Sequence, residues 1–263
     1  MKSIPGFFIC ILISFCSFAQ PGTWKQVGKA GDWKGTLQAV EANGKIYTIE
    51  ASGILYQTDP FTGMWQKIGN PDFARTAFLF HCNGMLYTIE TDGSLYAVSP
   101  LNGTWKRVGQ AGAWKATIAG TILNDRLYTV EAGGTLYATN LMDGAWKAIG
   151  KRDFAATKFL MAANDRLYSI ETSGSLYEIN PADGTWKQHG KAGEWRGTLA
   201  GIVTNGTLYT TEVNGALYET DLANGTWHQL GKPDFRATRF MTADRERLHS
   251  IETSGSLYEI NIR

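Results

Sequence analysis

The stretch GTWKQVGKAGDWKGTLQAVEANGKIYTIEASGILYQTDPFT, residues 22–62, decides the fold, because the chain repeats it. Aligned on Gly-x-Trp, the copies start at Gly22, Gly63, Gly103, Gly144, Gly184 and Gly225. The units are therefore 22–62, 63–102, 103–143, 144–183, 184–224 and 225–263. Their starts are separated alternately by 41 and 40 residues, so the larger repeat is a pair of units that occurs three times. Odd units read like Asp32-Trp33-Lys34-Gly35-Thr36 ahead of their longest apolar run. Even units, one residue shorter, read like Asp72-Phe73-Ala74-Arg75-Thr76.

Within the first unit, β-branched and aromatic residues mark four short strands, at 23–27, 36–42, 45–50 and 54–58. Asn43-Gly44 is a two-residue hairpin signal, since both residues tolerate the left-handed conformation that such a turn needs. Ser52-Gly53 and Asp59–Gly63 supply the other turns, and no segment carries a helical period. Four strands in about forty residues, six times over, is the arithmetic of an all-β, six-bladed β-propeller with four-stranded blades. Its pairing of units makes it pseudo-three-fold. A straight solenoid is disfavoured because its end units differ as caps, and here they do not. The chain stops after a strand at 257–262, where the next Gly-x-Trp strand is missing, while a spare copy stands at 23–27. The N-terminal strand is thus expected to complete the last blade and close the ring, leaving no open seam.

Residues 1–19 read differently. Lys2, an apolar run from Phe7 to Phe15, and Ser17-Phe18-Ala19 before Gln20 predict a secretory signal peptide cleaved after Ala19, with a secreted or periplasmic product. That leader carries one cation and no acid, so of 25 basic side chains 24 remain, against 24 acidic ones. A neutral chain offers no bulk attraction to nucleic acid or anionic membrane. Cys10 and Cys16 leave with the leader, and Cys82 alone cannot form an internal disulfide.

Three aromatic positions recur in nearly every unit: the Trp24, Trp65, Trp105, Trp146, Trp186 and Trp227 set, the Tyr56-type set and the Tyr47-type set, in which His249 stands for Tyr. Residues needed in every blade are expected to pack blade on blade, with His249 a packing substitute. Successive strands run antiparallel, so the loop entering the first strand shares a face with the turn after the second. That face holds Trp33, Trp114 and Trp195, each followed by a cation (Lys34, Lys115, Arg196), and a ring of acids, Glu50, Glu90, Glu131, Glu171, Glu212 and Glu252. Trp covers the C–H face of a sugar, while carboxylate and cationic groups hydrogen-bond its hydroxyls. The candidate ligand-binding residues are therefore Trp33, Lys34, Trp114, Lys115, Trp195, Arg196, Glu50, Glu131 and Glu212. The same Trp rings also fit a packed layer between blades, and the Glu side chains fit local hydrogen bonds to their turns.

The layout Gly-x-Leu-Tyr, short turn, Gly-x-Trp-x3-Gly, as in Gly174–Tyr177 and Gly184–Gly190, resembles the tectonin and tachylectin type of β-propeller lectins across the whole chain after the leader. The resemblance implies a propeller that binds glycans on cell surfaces. Here the third strand reads Leu86-Tyr87-Thr88-Ile89-Glu90 in place of that family's aromatic-Gly pair, so no inherited site positions are carried over. The expected function is a secreted, multivalent carbohydrate-binding propeller recognising glycans or glycoconjugates. The alternative is a non-enzymatic protein-interaction scaffold of the envelope or secretome. An enzyme ranks last, because no nucleophile with a base and no metal-ligand spacing stands out: adjacent His81 and Cys82 point to opposite faces of their strand. No cofactor is expected.

Overall fold

The computed structural model describes residues 20–244 and 246–263; the leader at 1–19 lies outside them. The described residues form six antiparallel four-stranded sheets and no helix. The first blade shows the pattern. β1 (Trp24–Val27) comes first in the chain, then β2 (Thr36–Ala42), β3 (Lys45–Glu50), β4 (Leu55–Thr58) and β5 (Trp65–Ile68). Strands β2 to β5 pair in order as blade 1. Blades 2 to 5 span 76–108, 117–149, 157–189 and 198–230 in the same way. The sixth takes its first three strands from 238–261 and its fourth from β1.

Closure is as expected. Trp24 lies opposite Ile260 and Val27 opposite Leu257, and the Gly22 amide donates to the Asn261 carbonyl at 2.7 Å. Asn43 (φ 52°) and Gly44 (φ 68°) both adopt the left-handed conformation that their hairpin requires. In every blade the innermost pair carries a register shift just after its conserved threonine, between Thr36 and Gln38 in blade 1.

The core lies between blades. One face of blade 1 (Ile49, Leu55, Ile68) meets Leu79, Leu86 and Val98 of blade 2. At the closing seam Val27, Ile251 and Leu257 pack on Ile46 and on Trp33 of the linker. Each linker is tied to the preceding blade: the amides of Trp33, Phe73, Trp114, Phe154, Trp195 and Phe235 donate to the carbonyls of Gly255, Gly53, Gly93, Gly134, Gly174 and Gly215. Outside them runs a belt of glycine pairs. A Cβ on Gly63 would stand 2.3 Å from the Cα of Gly28, and one on Gly231 2.7 Å from the carbonyl oxygen of Gly22. The Gly residues of Gly-x-Trp-x3-Gly are there because adjacent outer strands touch through backbone alone.

The two sets of tryptophans are placed differently. Trp33, Trp114 and Trp195, read either as binding residues or as a packed layer between blades, are only 2–3% exposed, which is the packed arrangement. The linker amide bond turns each ring into the seam, where the Cη2 of Trp33 lies against Gly28. The six Gly-x-Trp rings, expected to pack blade on blade, are 43–52% exposed. They sit on the outermost strand, which has a sheet neighbour on one side only. Each stands edge-on to the tyrosine of the preceding strand, with centroids 4.7–5.1 Å apart. Of the Tyr47-type residues, Tyr47, Tyr128, Tyr168 and Tyr209 are buried as expected and Tyr87 is partly buried, while His249 is 1% exposed.

Candidate ligand-binding clefts

The residues of one blade face converge on a cleft beside the linker. In blade 1 it is lined by Trp33 of the linker, Glu50 at the end of β3, Tyr56 on β4 and Trp65 on β5. The same four positions line clefts in blade 2 (Phe73, Glu90, Tyr96, Trp105), blade 3 (Trp114, Glu131, Tyr137, Trp146) and blade 5 (Trp195, Glu212, Tyr218, Trp227). The placement follows from strand alternation, because Thr48 and Glu50 share a face of β3 and Thr48 pairs with Tyr56. Of the residues singled out in the sequence, Trp33, Trp114, Trp195, Glu50, Glu131 and Glu212 line these clefts, the tryptophans with almost all of their surface buried. The cations Lys34, Lys115 and Arg196 are exposed on the linkers but line none of the four.

The acid ring is real and is held in place. Thr36 and Glu50 face each other across the innermost pair, and the threonine hydroxyl donates to Glu50 Oε1 at 2.7 Å. Glu90, Glu131, Glu212 and Glu252 accept the equivalent bond at 2.7–3.2 Å. In blade 4 the Thr157 hydroxyl is buried without a partner, and Glu171 lacks this bond. Burial pushes all six carboxyl groups above the ordinary glutamate range; in the other five blades the threonine bond offsets part of that rise. Each cleft thus combines an exposed indole, a phenol ring and a fixed carboxylate.

Alternation within β1 was the signal for the exposed tryptophans. In Trp24-Lys25-Gln26-Val27 the buried residue is Val27, so Trp24 shares its face with polar Gln26.

Other features carry less chemistry. The innermost strands surround a central channel of about 390 Å³, lined by residues such as Val40, Phe80, Ile122 and Val203. Cys82 is buried against Asp125, and its thiol is pushed up to about 11 by burial and by that carboxylate, which keeps it protonated and poorly nucleophilic. Among the described residues no cluster of His, Cys, Asp and Glu is arranged to hold a metal, and no helix is long and apolar enough to cross a membrane.

No family model matches the chain, and no curated protein matches it. Solved structures do. A structural-genomics protein of unknown function from Bacteroides thetaiotaomicron superposes with a TM-score of 0.68 at 12% identity, over 93% of this chain and 73% of that one. Virginiamycin B lyase from Staphylococcus aureus gives 0.61 at 12% identity, over 92% and 89%. PorZ of Porphyromonas gingivalis, a bacterial surface component of the type-IX secretion system, gives 0.57 at 12% identity, over 92% of this chain and 38% of its own. At such identities the likeness is one of fold, and function has to be argued from the clefts.

Proposed function

We propose that the protein is a multivalent, non-enzymatic carbohydrate-binding propeller, exported by its leader and binding glycans through the repeated blade clefts. The observation that carries this reading is the half-exposed indole beside a fixed carboxylate at the same place in blades 1, 2, 3 and 5. An indole face matches the C–H face of a pyranose, and a carboxylate accepts from its hydroxyls. Single sites of this kind are weak, and several on one rigid ring gain through effective concentration when the glycan is presented densely on a surface. The tectonin and tachylectin resemblance of the repeat layout supports the same class of ligand.

A glycan array tests it. The wild type is expected to bind one glycan class, and Trp105→Ala, in the blade 2 cleft, to bind it several-fold more weakly. A folded wild type that binds no glycan on the array would sink the reading.

A protein-interaction scaffold has one observation in its favour. The outer hairpin tips of blades 1 to 3 end in Phe61, Leu101 and Met142, exposed at 54%, 90% and 89%, while blades 4 and 5 carry Ala182 and Ala223 there. Capture of one stoichiometric partner from the host envelope, lost on Leu101→Ser with Met142→Ser, would favour it over the glycan reading.

A further inference from the structure

The clefts are not equivalent. In blades 1, 2, 4 and 6 an aspartate of the linker accepts a hydrogen bond from the exposed indole. The pairs are Trp65 Nε1 to Asp32 (3.3 Å), Trp105 to Asp72 (3.0 Å), Trp186 to Asp153 (3.2 Å) and Trp24 to Asp234 (3.0 Å). The bond ties the outer strand to the linker across the mouth of the cleft. In blade 3 this position is Ala113, which cannot make the bond. In blade 5 it is Glu194, whose Oε2 is instead held by the Lys191 amide at 2.6 Å. Cleft size follows the bond. Where the aspartate bridges, the cavities are about 130 Å³ (blade 1) and 160 Å³ (blade 2). Where it does not, they are about 230 Å³ (blade 5) and 310 Å³ (blade 3).

Blade 3 departs from its siblings a second time. Arg152, from the following linker, lines its cleft. The matching residues after blades 1 and 5 are Pro71 and Pro233. No ion pair engages the Arg152 guanidinium among the described residues. Arg75 lines the blade 2 cleft as well, but there it stands among Asp72, Glu90 and Asp92, and the tie keeps that cleft small. In blade 3 two separate substitutions converge on one cleft: one removes the tie across its mouth, the other adds a cation to a lining whose one acid is Glu131. Glu131 and Trp146 complete the lining, and Trp146 is 52% exposed.

We propose that the blade 3 cleft is a site for a carboxylated sugar unit, of the uronic or sialic acid class. Trp146 covers the C–H face of the ring, Arg152 pairs with the carboxylate, and Glu131 accepts from the hydroxyls. A planar guanidinium meets a carboxylate through two parallel bonds, so the anionic unit is selected over its neutral counterpart. The inference rests on the glycan-binding reading and goes beyond it by naming the cleft and the charge of the ligand.

The test is a titration of the protein with methyl glucuronide and with methyl glucoside, followed by the tryptophan indole N–H resonances in NMR, with Trp146 assigned through Trp146→Phe. The glucuronide is expected to move the Trp146 resonance and to bind at least tenfold more tightly than the glucoside. Arg152→Ala should erase that preference, and Arg152→Lys should restore part of it. Ala113→Asp should install the tie seen in four sibling blades, weakening the glucuronide at least tenfold while the melting temperature holds. Glucuronide binding equal to the glucoside's, or untouched in both Arg152→Ala and Ala113→Asp, would overturn the inference. If the array shows neutral glycans bound in a Trp105-dependent way while the glucuronide leaves Trp146 unmoved, this inference alone falls. If neither the array nor either glycoside gives binding, the glycan reading falls with it.

Discussion

Trp33 and Trp105 are both tryptophans of a six-fold repeat, yet they do opposite work. Trp33 fills the closing seam beside Val27, Ile46 and Leu257. Trp105 lies half in water, edge-on to Tyr96 and bonded to Asp72. Trp33→Ala is therefore expected to cost about 3–5 kcal/mol in urea denaturation, and Trp105→Ala only about 1 kcal/mol, with the loss of glycan binding confined to the second variant. The sequence made both positions conspicuous, and only the alternation of Trp105 with Val108, the buried residue of its strand, marks the second as outward-facing. Repetition counts a residue, whereas exposure depends on which strand is outermost and which way the linker turns. Glu50 was legible as an acid on the linker face, because strand pairing alone puts it opposite Thr36. The cations were not, since nothing in Trp33-Lys34 says that the indole goes inward and leaves the lysine outside the cleft.

Between blades 6 and 1 the seam is built differently from the rest. His249 Nδ1 lies 3.1 Å from Glu41 Oε2, and the Thr242 hydroxyl donates to the same oxygen at 3.0 Å. Both side chains are almost fully enclosed, 1% and 4% exposed. Removing the carboxyl group leaves the buried His249 imidazole and Thr242 hydroxyl without their shared partner, so Glu41→Ala is expected to lower stability by about 1–3 kcal/mol. Blade 4 carries Ala162 at the Glu41 position and blade 3 carries Tyr128 at the His249 position. Adding His249→Tyr to Glu41→Ala copies that sibling seam and should recover most of the loss, as a double-mutant cycle would read. The strands themselves were legible to within a residue, 54–58 becoming Leu55–Thr58. Alternation and turn residues act locally, whereas the seam pair joins residues 208 apart in sequence.

At the scale of the whole ring, the six glutamates act together. Folding raises their affinity for protons. The stability they contribute is thus fully present below the ordinary glutamate value, and is lost as pH rises through their elevated folded values. Asp59, held far below its ordinary range chiefly by its bond from Lys45, works in the opposite sense and loses its contribution only in stronger acid. Urea midpoints are expected to fall as pH climbs from about 4.5 toward neutrality, and Glu171→Gln should make that fall shallower. A midpoint that rises across the same interval would show that other groups dominate. Blade number and closure were legible because six copies and a displaced strand leave one arrangement. The widths of the clefts were not, because they turn on a single bond to each indole. The glycine belt adds a last consequence. Gly22 meets Gly231 as Gly63 meets Gly28, and the Gly22 amide already bonds to Asn261. The backbone contacts that β1 makes with its neighbours are those of the other outer strands, so a circular permutant of residues 22–263 opened at another linker is expected to form the same wheel.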